Sequence, residues 1–349
     1  MMGSIHAVDL FCGAGGLTYG LEQSGIDVIA GIDSDPYCRF PYEENTHARF
    51  IERDLRQVKS SEIKRIFPSD GVKLLAGCAP CQPFSTIGPK KGERDDRWSL
   101  LNTFSKFVRD IKPTIVTMEN VPGLRKQEIF SEFKAALENS GYQIEYRVRD
   151  CREYGVPQKR YRLVLLASQL GEIKMIRPTH TEKTYRTVKE TIGGLPRLRA
   201  GQQASSDPLH KAPKLSEKNL KRIKASKPGG TWKDWPENLK LDCHKKKSGS
   251  TYTTVYGRMK WNDQSPTITT QAYVYGTGRF GHPEQNRAIT FREAALLQTF
   301  PKEYKFFKNH NGMKEAKIGQ LIGNAVPVKL AEAIGDSIKN HLKAYDYAG

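Results

Sequence analysis

Nothing in this chain looks built for a membrane. No run in its 349 residues approaches the ~18 consecutive apolar residues of a spanning helix. The opening MMGSIHAVDLFCGAGG lacks a charged leader, a long apolar stretch and a cleavage site, so secretion is not expected. Cysteine is sparse: six residues, at 12, 38, 78, 81, 151 and 243, exclude a disulfide scaffold and predict reduced thiols. Only Cys78 and Cys81 are close, and one C-x-x-C without a second pair predicts no metal site. Acidic residues are short as well, with 38 Asp and Glu against 56 Lys and Arg, a formal net charge of +18. Residues 211–260 hold 14 Lys and Arg against 4 Asp and Glu. An excess of this size and sign points to a polyanionic partner.

What is present is a globular composition, 38% hydrophobic and 27% charged, which excludes wholesale disorder. The length suggests about two domains. Over the first 170 residues, HAVDLF, DVIAGID, VKLLAGC, TIVTMEN and RLVLLAS read as buried strands. Their near-continuous apolar character predicts a parallel sheet covered on both faces. Residues 98–111 and 128–140 read as helices between them, so the fold class is α/β, doubly wound. From about 171 to 286 the chain turns rich in Lys, Gly, Pro, Ser and Thr. Trp232, Trp235, Tyr252, Tyr256, Trp261, Tyr273 and Tyr275 favour a small irregular domain there over a linker, which would be poor in aromatics. Helical patterning returns in TFREAALLQTF and AVPVKLAEAIGDSIKNHL.

The first strand runs into a glycine-rich turn, DLFCGAGGLTYG, with Gly13, Gly15 and Gly16 at the strand-to-helix junction. Such a turn lets a ligand approach the backbone at a helix N-terminus. Asp33 ends the second strand, where an acidic residue accepts hydrogen bonds from ribose hydroxyls. Together they favour a nucleoside cofactor over a plain turn. After the strand VKLLAGC comes Pro-Cys-Gln-Pro-Phe-Ser, which puts Cys81 at the carboxyl edge of the sheet. A buried core thiol and a redox pair with Cys78 are the rival readings. The prolines and polar residues that follow argue against the redox pair, leaving Cys81 a candidate nucleophile.

DLFCGAGG, PCQPFS, ENV at 119–121, QKRYR at 158–162, RAITFREAALLQTFP at 287–301 and GNAVP at 323–327 occur in that order. The series resembles the DNA (cytosine-5)-methyltransferases of bacterial and phage type, across nearly the whole chain. Only 171–286 falls outside it, where that family keeps its target-recognition domain. The resemblance implies a Rossmann-like catalytic domain formed by 1–170 and 287–349, with target recognition in 171–286. It also implies S-adenosyl-L-methionine as cofactor, against Phe11, Gly13, Gly15, Gly16, Asp33, Asp54, Leu55, Pro80 and Asn324.

In that reading the Cys81 thiolate adds to C6 of cytosine so that C5 can attack a methyl sulfonium, which is covalent catalysis. A free thiol of pKa ~8.5 needs cationic help, for which Arg160 and Arg162 are candidates. Glu119 serves as the acid at ring nitrogen N3; a cheap charge at a helix start is the alternative. The target base is rotated out of the duplex. Residues 82–99 resemble the family's loop that closes over it, with Gln82, Ser85 and Arg97 as contacts. Gln158 is expected at the target nucleotide, and Thr267 at its backbone. The partner is duplex DNA, with basic residues of 171–286 meeting phosphates and a few reading base edges. The implied setting is a monomer in the cytoplasm of a prokaryote or phage-infected cell, associated with the nucleoid. It works beside a cognate restriction endonuclease or as a solitary methylase. A tRNA cytosine methyltransferase, a catalytically silent DNA-binding protein and a nicotinamide-dependent oxidoreductase are the competing readings.

Overall fold

A computed structural model describes residues 4–80, 98–308 and 313–345. In chain order the elements begin β1 (Ile5–Leu10), α1 (Gly16–Gln23), β2 (Asp27–Asp33), α2 (Arg39–Asn45), β3 (Arg49–Glu52), α3 (Ser60–Lys64), β4 (Val72–Gly77) and α4 (Trp98–Ile111). They continue with β5 (Ile115–Asn120), α5 (Glu128–Glu138), β6 (Gln143–Asp150), β7 (Gln158–Lys159), β8 (Tyr161–Ser168), α6 (Val188–Ile192), β9 (Gln203–Ala204) and β10 (Asp207–Lys211). The last are α7 (Glu217–Ala225), α8 (Asp242–Lys245), β11 (Ser265–Pro266), α9 (Phe291–Leu297), α10 (Glu315–Asn324) and α11 (Val328–Ala344).

The chain divides into two units. The first comprises residues 1–154, 161–179 and 325–349. Among its described residues lies a seven-stranded sheet in the order β3-β2-β1-β4-β5-β8-β6. The strands read from the sequence are all there, and residues 98–111 and the start of 128–140 are helices. Alternation along β1 shows why both faces are covered. Val8 and Leu10 join a core with Phe104, Phe107, Phe130 and Phe133 of α4 and α5. Asp9 points the other way and accepts from Thr18 of α1, which packs on α11.

The all-parallel expectation needs correcting. β8 runs antiparallel to both β5 and β6. Hydrophobicity cannot separate the two cases, because β8 is central and buried on both faces whichever way it points. The edge strand β6 escaped the sequence reading because it is half exposed and carries charged residues.

The second unit comprises 155–160 and 180–324. Residues 287–324 therefore group with it rather than with the sheet, and residues 171–179 group with the sheet. Polar and aromatic ties help to order the unit. Arg258 donates to four backbone carbonyls, those of Ile223, Ser226, His282 and Gln285. Arg287 clasps Glu293 with both guanidinium nitrogens, both residues fully buried. Trp232 stacks on His244 at 4.2 Å. Trp232, Trp235 and Tyr275 are buried, whereas Tyr252 is exposed. No helix among the described residues is long and apolar enough to cross a membrane.

Candidate active site

The parallel strands of the first unit end together. Leu10 lies beside Gly77, and Gly77 beside Met118, so the segments after β1, β4 and β5 emerge at one carboxyl edge. The strand order reverses between β1 and β4, which is where open α/β sheets bind ligands.

At β1 the chain leaves the strand under strain. Phe11 adopts φ 60°, sparsely populated for a bulky residue, while its N–H donates to Ile32 O at 2.8 Å. Gly13 (φ 54°) and Gly15 (φ 88°) make the turn, and α1 starts at Gly16. A Cβ placed on Gly13 would have no atom of the described residues within 4 Å, so they leave the space over the turn open. The Gly13 N–H donates to Asp33 Oδ2 at 3.0 Å, and the Asp35 N–H to Oδ1 at 2.9 Å. Asp33 thus braces the turn. Burial pushes its carboxyl above the ordinary range, partly offset by these amides.

Asp54 caps a short 3₁₀ turn and pairs with Arg56, whose hydrogen bonds hold its carboxyl below the ordinary range. Leu55 is buried in the core, so it supports this edge from beneath. Pro80 is exposed. Cys81, Gln82, Ser85 and Arg97 lie outside the described residues.

Glu119 ends up where the sequence put it, on β5 at the carboxyl edge, and is 3% exposed. Its two oxygens are treated differently. Oε2 accepts from the Cys78 thiol at 3.1 Å. Oε1 faces Arg162 Nε at 3.0 Å as an ion pair, yet accepts no hydrogen bond from any described residue. Arg162 also donates from Nη1 to Tyr161 O. Next along β5, Asn120 donates to Ala79 O at 2.8 Å and accepts from Val121 N–H. It ties the end of β5 to the segment leading into Cys81. The sequence offered signals for Cys78 and Asn120, the C-x-x-C spacing and the ENV motif, but no geometry for either.

Gln158 and Arg160 group with the second unit. Gln158 is fully buried in the second unit. Its amide donates to Leu297 O and Gln298 Oε1, and its oxygen accepts from Ile268 N–H. Its amide and its oxygen are both engaged inside the protein. Arg160 is 1% exposed and donates to the Ile268 and Gly323 carbonyls, so it braces the second unit. Cys81, the thiol it was expected to help, lies outside the described residues. Thr267 donates to Lys159 O at 2.7 Å, holding β11 against β7. Asn324 ends α10 in the second unit and is exposed.

Buried chemistry beneath the glycine turn went unread in the sequence. Asp9 is fully buried, with Thr18 Oγ1 2.8 Å from its Oδ2, and Thr18 Oγ1 also 2.8 Å from the Tyr42 hydroxyl. Burial pushes Asp9 up to about 7.

Residues 5–340 match the family model of the C-5 cytosine-specific DNA methylases. The chain belongs to that family. The methylase is 49% identical over 346 residues to the Type II methylase M.HgiDII of Herpetosiphon aurantiacus, covering 98% of this chain and 97% of that one. It is 33% identical over 342 residues to the Type II methyltransferase M.Eco47II of Escherichia coli, covering 95% and 78%. In fold it is similar to a crystal structure from Escherichia coli, a prophage-encoded protein assigned as a DNA modification methyltransferase. The TM-score is 0.74 at 22% identity, covering 97% of this chain and 100% of that one. The methylase is therefore a DNA cytosine methyltransferase with a Rossmann-like sheet, and the nicotinamide reading falls away.

Proposed function

We propose that this methylase transfers a methyl group from S-adenosylmethionine to C5 of a cytosine rotated out of a specific duplex DNA sequence, through a covalent adduct with Cys81. The observation that carries the reading is Glu119: a buried carboxyl at the sheet's carboxyl edge with Oε2 held, and Oε1 charge-paired but open to a hydrogen bond.

The residues fit the cofactor. Open space above Gly13, the amides at the start of α1 and the braced Asp33 carboxylate suit a nucleoside with a charged tail. Phe11 sits beside them as an aromatic surface. When bound, S-adenosylmethionine supplies an electrophilic methyl on a positively charged sulfur.

The Cys81 thiolate adds to C6, forming an S–C6 bond, and the displaced ring electrons collect toward N3. Glu119, which takes up a proton from solvent as the cytosine docks, delivers it to N3, so no free anion builds up. The resulting enamine directs its electron pair from C5 onto the methyl carbon, whose bond to sulfur breaks with the pair left on sulfur. The N3 proton returns to Glu119, held in place by Arg162. A base then removes the C5 proton, C5=C6 re-forms and Cys81 leaves as thiolate. Unflipped, C6 and N3 lie within the stack, so extrusion of the base comes first.

The second unit reads the DNA. Lys214, Lys218, Lys221, Lys224, Lys227, Lys233, Lys245, Lys246, Lys247 and Lys260 are exposed there, free to meet phosphates. The enzyme acts as a monomer in the cytoplasm, beside a restriction endonuclease of the same specificity or alone.

Expression of the wild type and of Cys81→Ser in a host without cytosine methylation, followed by bisulfite sequencing, tests this. Protection at one short motif, present with wild type and absent with Cys81→Ser, is expected. Equal protection in both would remove Cys81 as nucleophile. Complete conversion in both, with soluble protein present, would overturn duplex DNA as the acceptor.

A further inference from the structure

The reaction proposed above uses Cys81 and Glu119 and leaves the other thiol of the C-x-x-C pair unexplained. Cys78 is the first residue after β4, one strand over from Glu119 in the parallel β4–β5 pair. Its own N–H donates to Leu10 O at 3.2 Å, which fixes its backbone against the end of β1. From there its Sγ reaches Glu119 Oε2 at 3.1 Å. The Sγ–H is a weak donor in water. Here it meets a carboxylate 3% exposed, where little water competes for that oxygen.

We infer that Cys78 is a positioning residue for Glu119, its thiol holding Oε2 so that Oε1 is the oxygen that meets the flipped cytosine. A carboxyl group turns about its last side-chain bond with a broad, two-fold preference, so a lone ion pair does not fix the plane of the group. Two contacts of different kind do. Arg162 offers charge at Oε1 without an aligned hydrogen bond, and Cys78 offers a hydrogen bond at Oε2. Cys78 stands off the reacting atoms and acts through Glu119. The neighbouring tie from Asn120 to Ala79 O keeps the segment carrying Cys78 in step with β5.

The inference rests on Glu119 as the N3 acid, and a double-mutant cycle separates the two. Turnover at saturating DNA and cofactor is measured for wild type, Cys78→Ala, Cys78→Ser, Glu119→Gln and Cys78→Ala/Glu119→Gln. Cys78→Ala is expected to lower kcat roughly fivefold to tenfold, the worth of one hydrogen bond, with KM for DNA little changed. Cys78→Ser, which keeps a donor, recovers part of that loss. In the Glu119→Gln background Cys78→Ala costs nothing further, because the group it positions has lost its role. If Glu119→Gln retains wild-type turnover, the acid assignment fails. If Glu119→Gln is impaired while Cys78→Ala matches wild type, or costs the same factor in both backgrounds, Cys78 does not act through Glu119. A loss with Cys78→Ala that Cys78→Ser shares in full, with both variants melting early, marks a packing role and overturns the inference.

Discussion

Arg162 Nε stands 3.0 Å from Glu119 Oε1, across the antiparallel pairing of β8 with β5. Strand direction decides this contact: Glu119 lies opposite Val164, so Arg162 reaches it diagonally from two residues along β8. The pair is mostly dry, with side-chain exposures of 14% and 3%. Removing one partner leaves a poorly solvated charge. Arg162→Ala should cost about 3 kcal/mol of stability as well as turnover. Arg162→Lys should keep more of the stability than of the turnover, since a point charge cannot reproduce the guanidinium geometry. Thermal melting beside single-turnover rates checks both, and an Ala variant that melts like wild type would refute the pairing's importance.

Gly13→Ala separates the turn from its ligand. Its left-handed φ of 54° makes alanine cost roughly 1 kcal/mol, with no steric clash among the described residues. The new methyl would occupy the open space where the cofactor is proposed to lie. Affinity for S-adenosylmethionine should therefore fall by roughly tenfold or more, out of proportion to the melting change. Calorimetric titration with unchanged affinity would move the cofactor away from this turn.

Asp9 gives a pH signature. Burial raises its carboxyl from 3.8 to about 7. Between those values the folded protein holds the proton and the unfolded chain has released it. Stability from this group thus falls as pH rises through that window and levels off above it, by up to about 4 kcal/mol. Asp9→Asn should gain on wild type as pH rises, and urea melts at about pH 5 and about pH 8 would show it. The same gap at both pH values would mean that Asp9 is not the titrating group.

The basic residues of the second unit should divide into two kinds. Arg258 donates to four carbonyls from inside, so Arg258→Met should cost about 3 kcal/mol and unfold the unit first. Lys245, Lys246 and Lys247 are exposed, and their joint replacement by Ala should leave melting unchanged. It should flatten the plot of log affinity against log salt by roughly one unit of slope for each phosphate no longer neutralised. An unaltered slope would take these lysines out of the DNA interface.

Much of the first unit was legible because its information is local. A buried strand has to be apolar along its length, and β1, β2, β4, β5 and β8 appear within a residue or so of their sequence readings. The glycine turn was legible for the same reason: a tight strand-to-helix turn restricts residue type position by position. The interior hydrogen bonds of Gln158 and Arg160 were not legible in this way. Their partners, Gln298 and Gly323, lie 140 and 163 residues away. No local pattern shows that a polar side chain is already satisfied in the interior.

The sequence by itself determined the α/β class, the cofactor-type turn, the placing of Glu119 at a strand end and the concentration of positive charge, all properties of short segments. Tertiary structure alone decided the rest. It reversed β8, brought Cys78 and Arg162 to opposite oxygens of Glu119, set Asp9 under the turn and drew residues 287–324 into the second unit. Those outcomes depend on which distant segments share a buried surface. That is settled by packing and by the demand that most buried polar groups find a partner, a condition on the whole chain at once.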